Sequence, residues 1–544
     1  MTESHSRYGQ LALVFRNREL RLLELAWAGS VIGHYGFQIA LGVYAYQAGG
    51  AAAVGVMFVL RTLGALATPP AAALGDRYRR IWVMAGSDLL RALLVLATLG
   101  VIVADASVVF VYVLAGLAAA VGTAFRPAQV AVLPQLARTP EELTMANVVA
   151  TTIEGLGMFV GPALAGLVLA ISGIEATLVV MAIALLWSAL IILPIKETPP
   201  VAGAEGHPSF AEFLFAGFGI TWKTPDLRLL TGVLSGQALT AGCINVLVVV
   251  MALGLLEMGE GGVGLLDAAV GVGALLGAVV IVPLVAKAKL TAPFLVGAVL
   301  WGLPLVAIAA WPSVGVAVAA LALVGVGNTL VDVAGFTLLQ RIAPQDVLAR
   351  VFGVVETMFY LAIGVGSLLA PLIVETGGTR ATLVVVGLFL PVTVAILARR
   401  IMAIDADAVI PEYEVELLAL LPMFSPLPRL ALERLARQVV PVEADAGTEI
   451  IRQGDEGDRF YVLDEGEVDV AADGRHIGSF GRGYGFGEIA LLRDVPRTAT
   501  VTARTPVKLY ALERDQFLAA VTGHSASEEA ADALIVSRLS SVRT

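Results

Sequence analysis

About twelve stretches of this chain are each long and apolar enough to cross a hydrocarbon core, and no other feature limits the fold so severely. A bilayer core ~30 Å thick needs about 20 apolar residues per helix. Backbone polar groups in lipid must be satisfied internally, so runs of this kind become helices packed on helices. The runs lie near 22–47, 52–74, 81–103, 108–134, 146–171, 175–196, 226–256, 262–286, 291–311, 314–340, 350–374 and 379–399. The longest gap, Glu197 to Asp226, holds the polar, Pro- and Gly-rich KETPPVAGAEGHPS and divides the runs six and six. With 58% hydrophobic and 15% charged residues in 544, the chain lies outside the range of soluble domains.

The expected organisation is an N-terminal six-helix half over 1–196, a linker over 197–225, a second half over 226–400, a connector over 401–411 and a soluble domain over 412–544. The fold class is thus an all-α membrane bundle of 12 transmembrane helices in two six-helix repeats, plus a C-terminal β-roll or jelly-roll domain with flanking helices. Internal similarity supports the duplication: ATLVV recurs at Ala176 and Ala381, and Gly122 with Gly327, Gln135 with Gln340 and Gly161 with Gly366 share the same offset. Such repeats are the usual build of secondary transporters. Residues 1–400 carry 21 basic and 21 acidic side chains, whereas 401–544 carry 14 and 24, which accounts for the whole net charge of −10. An acidic soluble part argues against nucleic acid as a partner. The lone cysteine, Cys243, excludes disulfides and a cysteine-based metal site, and no metal is expected. No removed signal peptide is expected either. Short loops on one side hold Arg77, Arg79, Arg80, Arg138, Lys287, Lys289, Arg341, Arg350, Arg399 and Arg400, while the opposite loops are acidic. By the positive-inside rule both termini face the cytoplasm, and the expected location is the plasma (inner) membrane.

The loop LGDRYRR after the second run, with Asp76, Arg77 and Arg80, resembles the signature loop of the major facilitator superfamily. Two glycines usual in that loop are replaced here by Ala72 and Arg79. The resemblance implies that Asp76 and its basic neighbours Arg77 and Arg80 gate the cytoplasmic side. AFRPAQVAVLPQLARTPEELTMAN and GMFVGPALAG, with Gly161 and Pro162, resemble the drug and siderophore efflux branch, which implies export of a small molecule. On physical grounds Gly157, Gly161 and Ala165 form a small-residue stripe that admits a neighbouring helix, and Pro162 loosens the backbone bonding.

Ionisable groups within the apolar runs mark a pathway, because lipid makes them costly. They are Glu24, His34, Arg61, Arg126, Glu154, Asp267, Asp332 and Glu356, with Asp88 and Arg91 spaced for a local ion pair. Arg61 and Asp267 are each read as half of a gate or as a contact for a charged substrate. Glu154 and Glu356 are the candidates for proton coupling.

Beyond Arg400, Pro-punctuated helices give way to alternating apolar and polar residues with turn signals at Gly454, Asp455, Gly457, Gly466 and Gly474. The final stretch returns to helical spacing. The segment FGEIALLRDVPRTAT resembles the phosphate-binding cassette of cyclic-nucleotide-binding domains. Gly487 permits a tight turn with exposed N–H groups. The resemblance implies that Glu488 accepts the ribose 2′-hydroxyl, that Arg497 pairs with the cyclic phosphate, and that Ile489, Ala490 and Thr498 complete the cradle. The chain therefore reads as a non-enzymatic secondary exporter, embedded in the lipid bilayer and without a cofactor. Its cyclic nucleotide, cAMP before cGMP, is an effector. A non-transporting receptor and a lipid flippase of the same fold are the alternatives.

Overall fold

The computed structural model describes residues 14–65, 67, 71, 77–197, 210–285, 290–343, 347–407 and 411–543. The chain forms two units, Met1–Asp407 and Ala408–Thr544. The first contains α1 (Arg18–Ala65), α2 (Arg80–Val103), α3 (Val108–Gly122), α4 (Phe125–Leu136), α5 (Pro140–Ile191), α6 (Phe210–Lys223), α7 (Pro225–Val250), α8 (Glu260–Val285), α9 (Thr291–Ala310), α10 (Val314–Ile342) and α11 (Leu348–Asp407). A π-helical turn, Met251–Leu255, extends α7.

Among the described residues nine helices are long and apolar enough to cross a membrane. Three are too long for one crossing: α1 has 48 residues, α5 has 52 and α11 has 60. Each is broken where a glycine leaves helical geometry, at Gly49–Gly50, at Gly173 and at Gly378, with φ of +63° at Gly50, +77° at Gly173 and +80° at Gly378. A side chain at such φ is strained, so glycine is what lets the chain turn back with almost no loop. These breaks fall in the short gaps at 47–52, 171–175 and 374–379 that separate apolar runs.

Helix packing depends on small residues where backbones approach. Gly157 and Gly161 of α5 face α1: a methyl placed on Gly161 would lie 2.9 Å from Tyr35 Cβ and 3.3 Å from Ile32 O. Gly366 of α11 meets α7 in the same manner, a methyl added there falling 3.1 Å from Cys243 N. Where the N-terminal helices meet the later ones, a methyl added to Gly166 of α5 would lie 2.9 Å from Gly264 Cα of α8, and one added to Gly55 of α1 would lie 2.7 Å from Pro371 Cγ of α11. Without a hydrophobic drive between helices in lipid, such close fits supply the van der Waals attraction.

Two features differ from the sequence expectation. The segment 197–225 is not all linker, because FAEFLFAGFGITWK folds as α6, with Gly217 seated against Arg350 O of α11. Phe218 and Ile220 of this helix are half-buried, apolar surface that a free linker would leave in water. Helix α11 also continues past the end of its apolar run to Asp407.

The second unit opens with α12 (Glu412–Ala419) and α13 (Arg429–Ala436) and continues through β1 (Val440–Ala444), β2 (Glu449–Ile451), β3 (Arg459–Glu465), β4 (Val468–Ala472), β5 (Arg475–Phe480) and β6 (Gly485–Phe486). Then follow α14 (Glu488–Arg493), β7 (Thr500–Ala503), β8 (Val507–Glu513), α15 (Arg514–Thr522) and α16 (Ser525–Arg543). Two antiparallel four-stranded sheets, ordered β1-β8-β3-β6 and β2-β7-β4-β5, form the β-roll. Strand β4 buries Val468, Val470 and Ala472 in strict alternation, as a half-buried strand must. Its hairpin to β5 turns through Asp473 (φ +49°) and Gly474 (φ +76°), the Asp-Gly pair that a two-residue turn of this hand requires. Between the sheet and its helices lies an aromatic cluster of Phe424, Phe460 and Phe517, with the rings of Phe460 and Phe517 stacked at 4.6 Å.

Candidate functional site

Strand β6 ends at Phe486, and Gly487 turns the chain sharply into α14 with φ +97°. A methyl at Gly487 would lie 2.6 Å from Arg497 Nη1, so both the dihedral and the space demand glycine. The Arg497 side chain enters from the other end of the cassette and is only 5% exposed. Its Nη1 donates to Gly487 O at 3.0 Å, and its Nη2 donates to Arg459 O at 2.7 Å and Asp458 Oδ1 at 3.2 Å. Two backbone bonds fix its origin: Arg497 N donates to Asp455 O at 2.8 Å, and Gly454 N donates to Arg497 O at 2.9 Å. The turn signals at Gly454 and Asp455 thus position the arginine.

Glu488, 1% exposed, accepts from Arg538 Nη1 of α16 at 2.7 Å. The Arg538 guanidinium also lies 4.5 Å from the ring centre of Tyr484, a cation–π contact. Tyr484 stacks on Phe480 at 3.9 Å and neighbours Phe486 at 6.3 Å, giving the pocket an aromatic wall. Burial pushes the Tyr484 hydroxyl above the ordinary phenol range. The pocket measures about 590 Å³, and Gly487, Glu488, Ile489, Ala490, Arg497 and Thr498 all line it. An internal guanidinium, a buried carboxylate and stacked rings in one cavity suit an anion, a hydroxyl and a flat ring on a single ligand. Sequence reasoning missed Arg538 and Tyr484. The available signal for the arginine was a basic side chain one turn beyond Leu534 on the same face of the final helix.

The membrane unit holds a second cavity, of about 310 Å³, whose walls include His34, Arg61, Arg126 and Glu154 together with Arg91. Glu24, Asp267, Asp332 and Glu356 are not among its lining residues. Arg91 pairs with Asp88 at 2.8 Å, and Asp88 also accepts from Ser30 Oγ at 3.1 Å and Ser188 Oγ at 2.6 Å. The other end of Arg91 lies 3.2 Å from His34 Nδ1. Since a guanidinium only donates, Nδ1 is the acceptor and the imidazole proton sits on Nε2. Arg126 reaches Glu154 at 3.6 Å, donates to Gln129 at 2.9 Å and lies 5.1 Å from the ring centre of Trp27. Arg61 donates to Gln38 Oε1 at 3.1 Å, and no ion pair joins it to Asp267.

The remaining candidates lie elsewhere. Glu24 is fully buried, and neither carboxylate oxygen has a hydrogen-bond partner among the described residues. Asp332 accepts from Gln237 at 2.8 Å and Asn328 at 3.0 Å, a polar knot between α7 and α10. Glu356 is exposed. In the signature loop, Asp76 lies outside the described residues. Arg77 is exposed with its guanidinium 5.7 Å from the ring centre of Tyr78, and Arg80 starts α2. A carboxylate that sequence reasoning passed over caps this helix: Glu197 accepts from Arg80 N and Ile81 N, each at 3.0 Å.

Comparison with known proteins agrees with both units. The family model of the Major Facilitator Superfamily matches residues 25–289 and 233–412, and that of the cyclic nucleotide-binding domain matches residues 441–524. Among solved structures, a POT family transporter in complex with 5-aminolevulinic acid is 15% identical, with a TM-score of 0.59 over 71% of this chain and 97% of that one. A POT family transporter in complex with thioalcohol conjugated peptide is 16% identical, with a TM-score of 0.56 over 70% of this chain and 96% of that one. At these identities the likeness shows the fold. The structure "Sp-2Cl-cAMPS bound to PKAR CBD2" is 25% identical over 21% of this chain and 78% of that one, with a TM-score of 0.20.

Proposed function

The chain belongs to the Major Facilitator Superfamily, and from that premise we propose that it is a secondary exporter of a small molecule whose activity is set by cyclic nucleotide, cAMP in preference to cGMP, bound to its C-terminal domain. Among the described residues nine apolar helices, three of them broken at a glycine, support twelve crossings. The matching approaches of Gly161 to α1 and of Gly366 to α7 support a duplicated six-helix unit. The basic loops support cytoplasmic termini in an inner membrane, which puts the nucleotide pocket in the compartment where nucleotides are made. In this reading Asp76, Arg77 and Arg80 gate the cytoplasmic side, His34, Arg61, Arg126 and Glu154 line the pathway, and protons supply the driving force.

One observation carries the proposal: the same chain holds a membrane cavity walled by charged side chains and a soluble pocket in which Glu488 and Arg497 are both buried at the wall. Its test is reconstitution of the full chain in vesicles containing a pH-sensitive dye. A panel of small molecules is applied across an imposed proton gradient, with and without cAMP. Expected is a compound that collapses the gradient at a rate cAMP alters in the wild type and leaves unaltered in Arg497→Ala. Flux indifferent to cAMP would reduce the C-terminal domain to a passive binder.

A further inference from the structure

We infer that the membrane cavity takes a small organic anion with an apolar body and that Arg61 is its counter-charge, an inference that rests on the transporter reading for its biological sense. Three guanidinium groups reach the cavity wall, those of Arg61, Arg91 and Arg126. Two are already neutralised. Arg91 is bound to Asp88 at 2.8 Å, and that carboxylate is further held by two serines. Arg126 has Glu154 at 3.6 Å, the only carboxylate among the lining residues.

Arg61 differs from both. It is 7% exposed, and among the described residues its hydrogen bond goes to the neutral Gln38 and no carboxylate lies within ion-pair distance. Burying an unpaired cation is penalised by several kcal/mol. The penalty falls when an anion arrives that brings both the opposite charge and acceptors for the remaining N–H donors. A cationic ligand would face the reverse situation: Arg61 repels it, and Glu154 is engaged by Arg126. Trp27, Tyr35, Phe58 and Tyr360 add aromatic faces for an apolar ring or chain, and the neutral polar groups of Gln38 and Asn245 share the wall with them. At about 310 Å³ the space is near the lower end of small-molecule sites and suits a compact ligand.

The experiment uses three probes of one shape and different charge: 2-naphthoate, 2-naphthamide and 2-naphthylmethylammonium. Each is titrated calorimetrically into the full chain in lipid nanodiscs. The Arg497→Ala background is used so that the soluble pocket makes no contribution to anion binding. Expected is binding of the naphthoate in preference to the amide and the ammonium compound, weakened by roughly tenfold to a hundredfold in Arg61→Gln, as for loss of one charged hydrogen-bonding partner. Arg61→Lys, which keeps the charge, should restore part of it and shows that loss in the glutamine variant is not misfolding. Preference for the ammonium or amide probe, naphthoate affinity unchanged in Arg61→Gln, or no binding of any probe would overturn the inference. Probe flux measured in vesicles separates the two readings. Transport of the ammonium compound would keep the transporter and discard the anion site, whereas Arg61-dependent naphthoate binding with no flux of any probe would keep the site and discard transport.

Discussion

Replacing Arg497 by alanine is the most direct probe of the soluble pocket, and its size follows from how the guanidinium is used. Three of its N–H donors are committed to Gly487 O, Arg459 O and Asp458, which hold the group in place and leave the remaining donors for a ligand. Hydrogen bonds to a charged partner contribute roughly 1.5–3 kcal/mol each. After partial resolvation of the emptied site, the loss of nucleotide affinity should be about 2–4 kcal/mol, or roughly 30-fold to 1000-fold in Kd. Calorimetric titration of the full chain with cAMP measures it. Because Arg497→Ala also strips donors from two backbone carbonyls, thermal denaturation without nucleotide must accompany the titration, and Arg497→Lys should retain charge but lose the planar fork. The regulatory reading adds a second requirement. Coupling is reciprocal, so a ligand of the membrane cavity and cAMP must change each other's affinity by one common factor in the wild type, and that factor should fall to unity in Arg497→Ala. An affinity for cAMP within about threefold of wild type would remove Arg497 as the phosphate anchor, since even one lost charged hydrogen bond exceeds that change.

Gly487→Ala should weaken cAMP binding and lower the stability of the C-terminal domain by about 1–3 kcal/mol, because the new methyl meets Arg497 at a φ that suits glycine; Gly474→Ala, at φ +76° with nothing near its added methyl, should lower stability and leave affinity unchanged, as calorimetry and thermal denaturation would report. Burial and the neighbouring Glu414 push the Tyr510 hydroxyl up to about 12, above its ordinary value of about 10. Its contribution to stability is therefore fully present below pH ~10 and lost as pH rises through about 12, where the unfolded chain has released a proton that the folded one keeps. Tyr510→Phe should make the alkaline decline of domain stability shallower, and equal slopes in the two proteins would refute the assignment. Expressed alone, residues 412–544 should fold and bind cyclic nucleotide, since the unit has its own core; absence of calorimetric heat and of thermal stabilisation with cAMP and cGMP would count against this.

The sequence by itself determined what depends on composition and on short spacing. Apolar runs sized to a bilayer mark the membrane helices, and the gaps between them hold Gly50, Gly173 and Gly378, whose positive φ favours glycine. The cassette was legible because Gly487, Glu488 and Arg497 stand within one turn, one short helix and one loop, whose geometry is local. Tertiary structure decided which distant charges meet. Arg61 reaches Gln38 and not Asp267, Arg126 turns to Glu154, Glu197 caps α2, and Arg538 closes on Glu488 across 50 residues. Helical periodicity states which face a side chain occupies. The rotation, tilt and depth that bring two faces together come from glycine contacts and side-chain packing along the whole bundle, and no spacing within one segment encodes them.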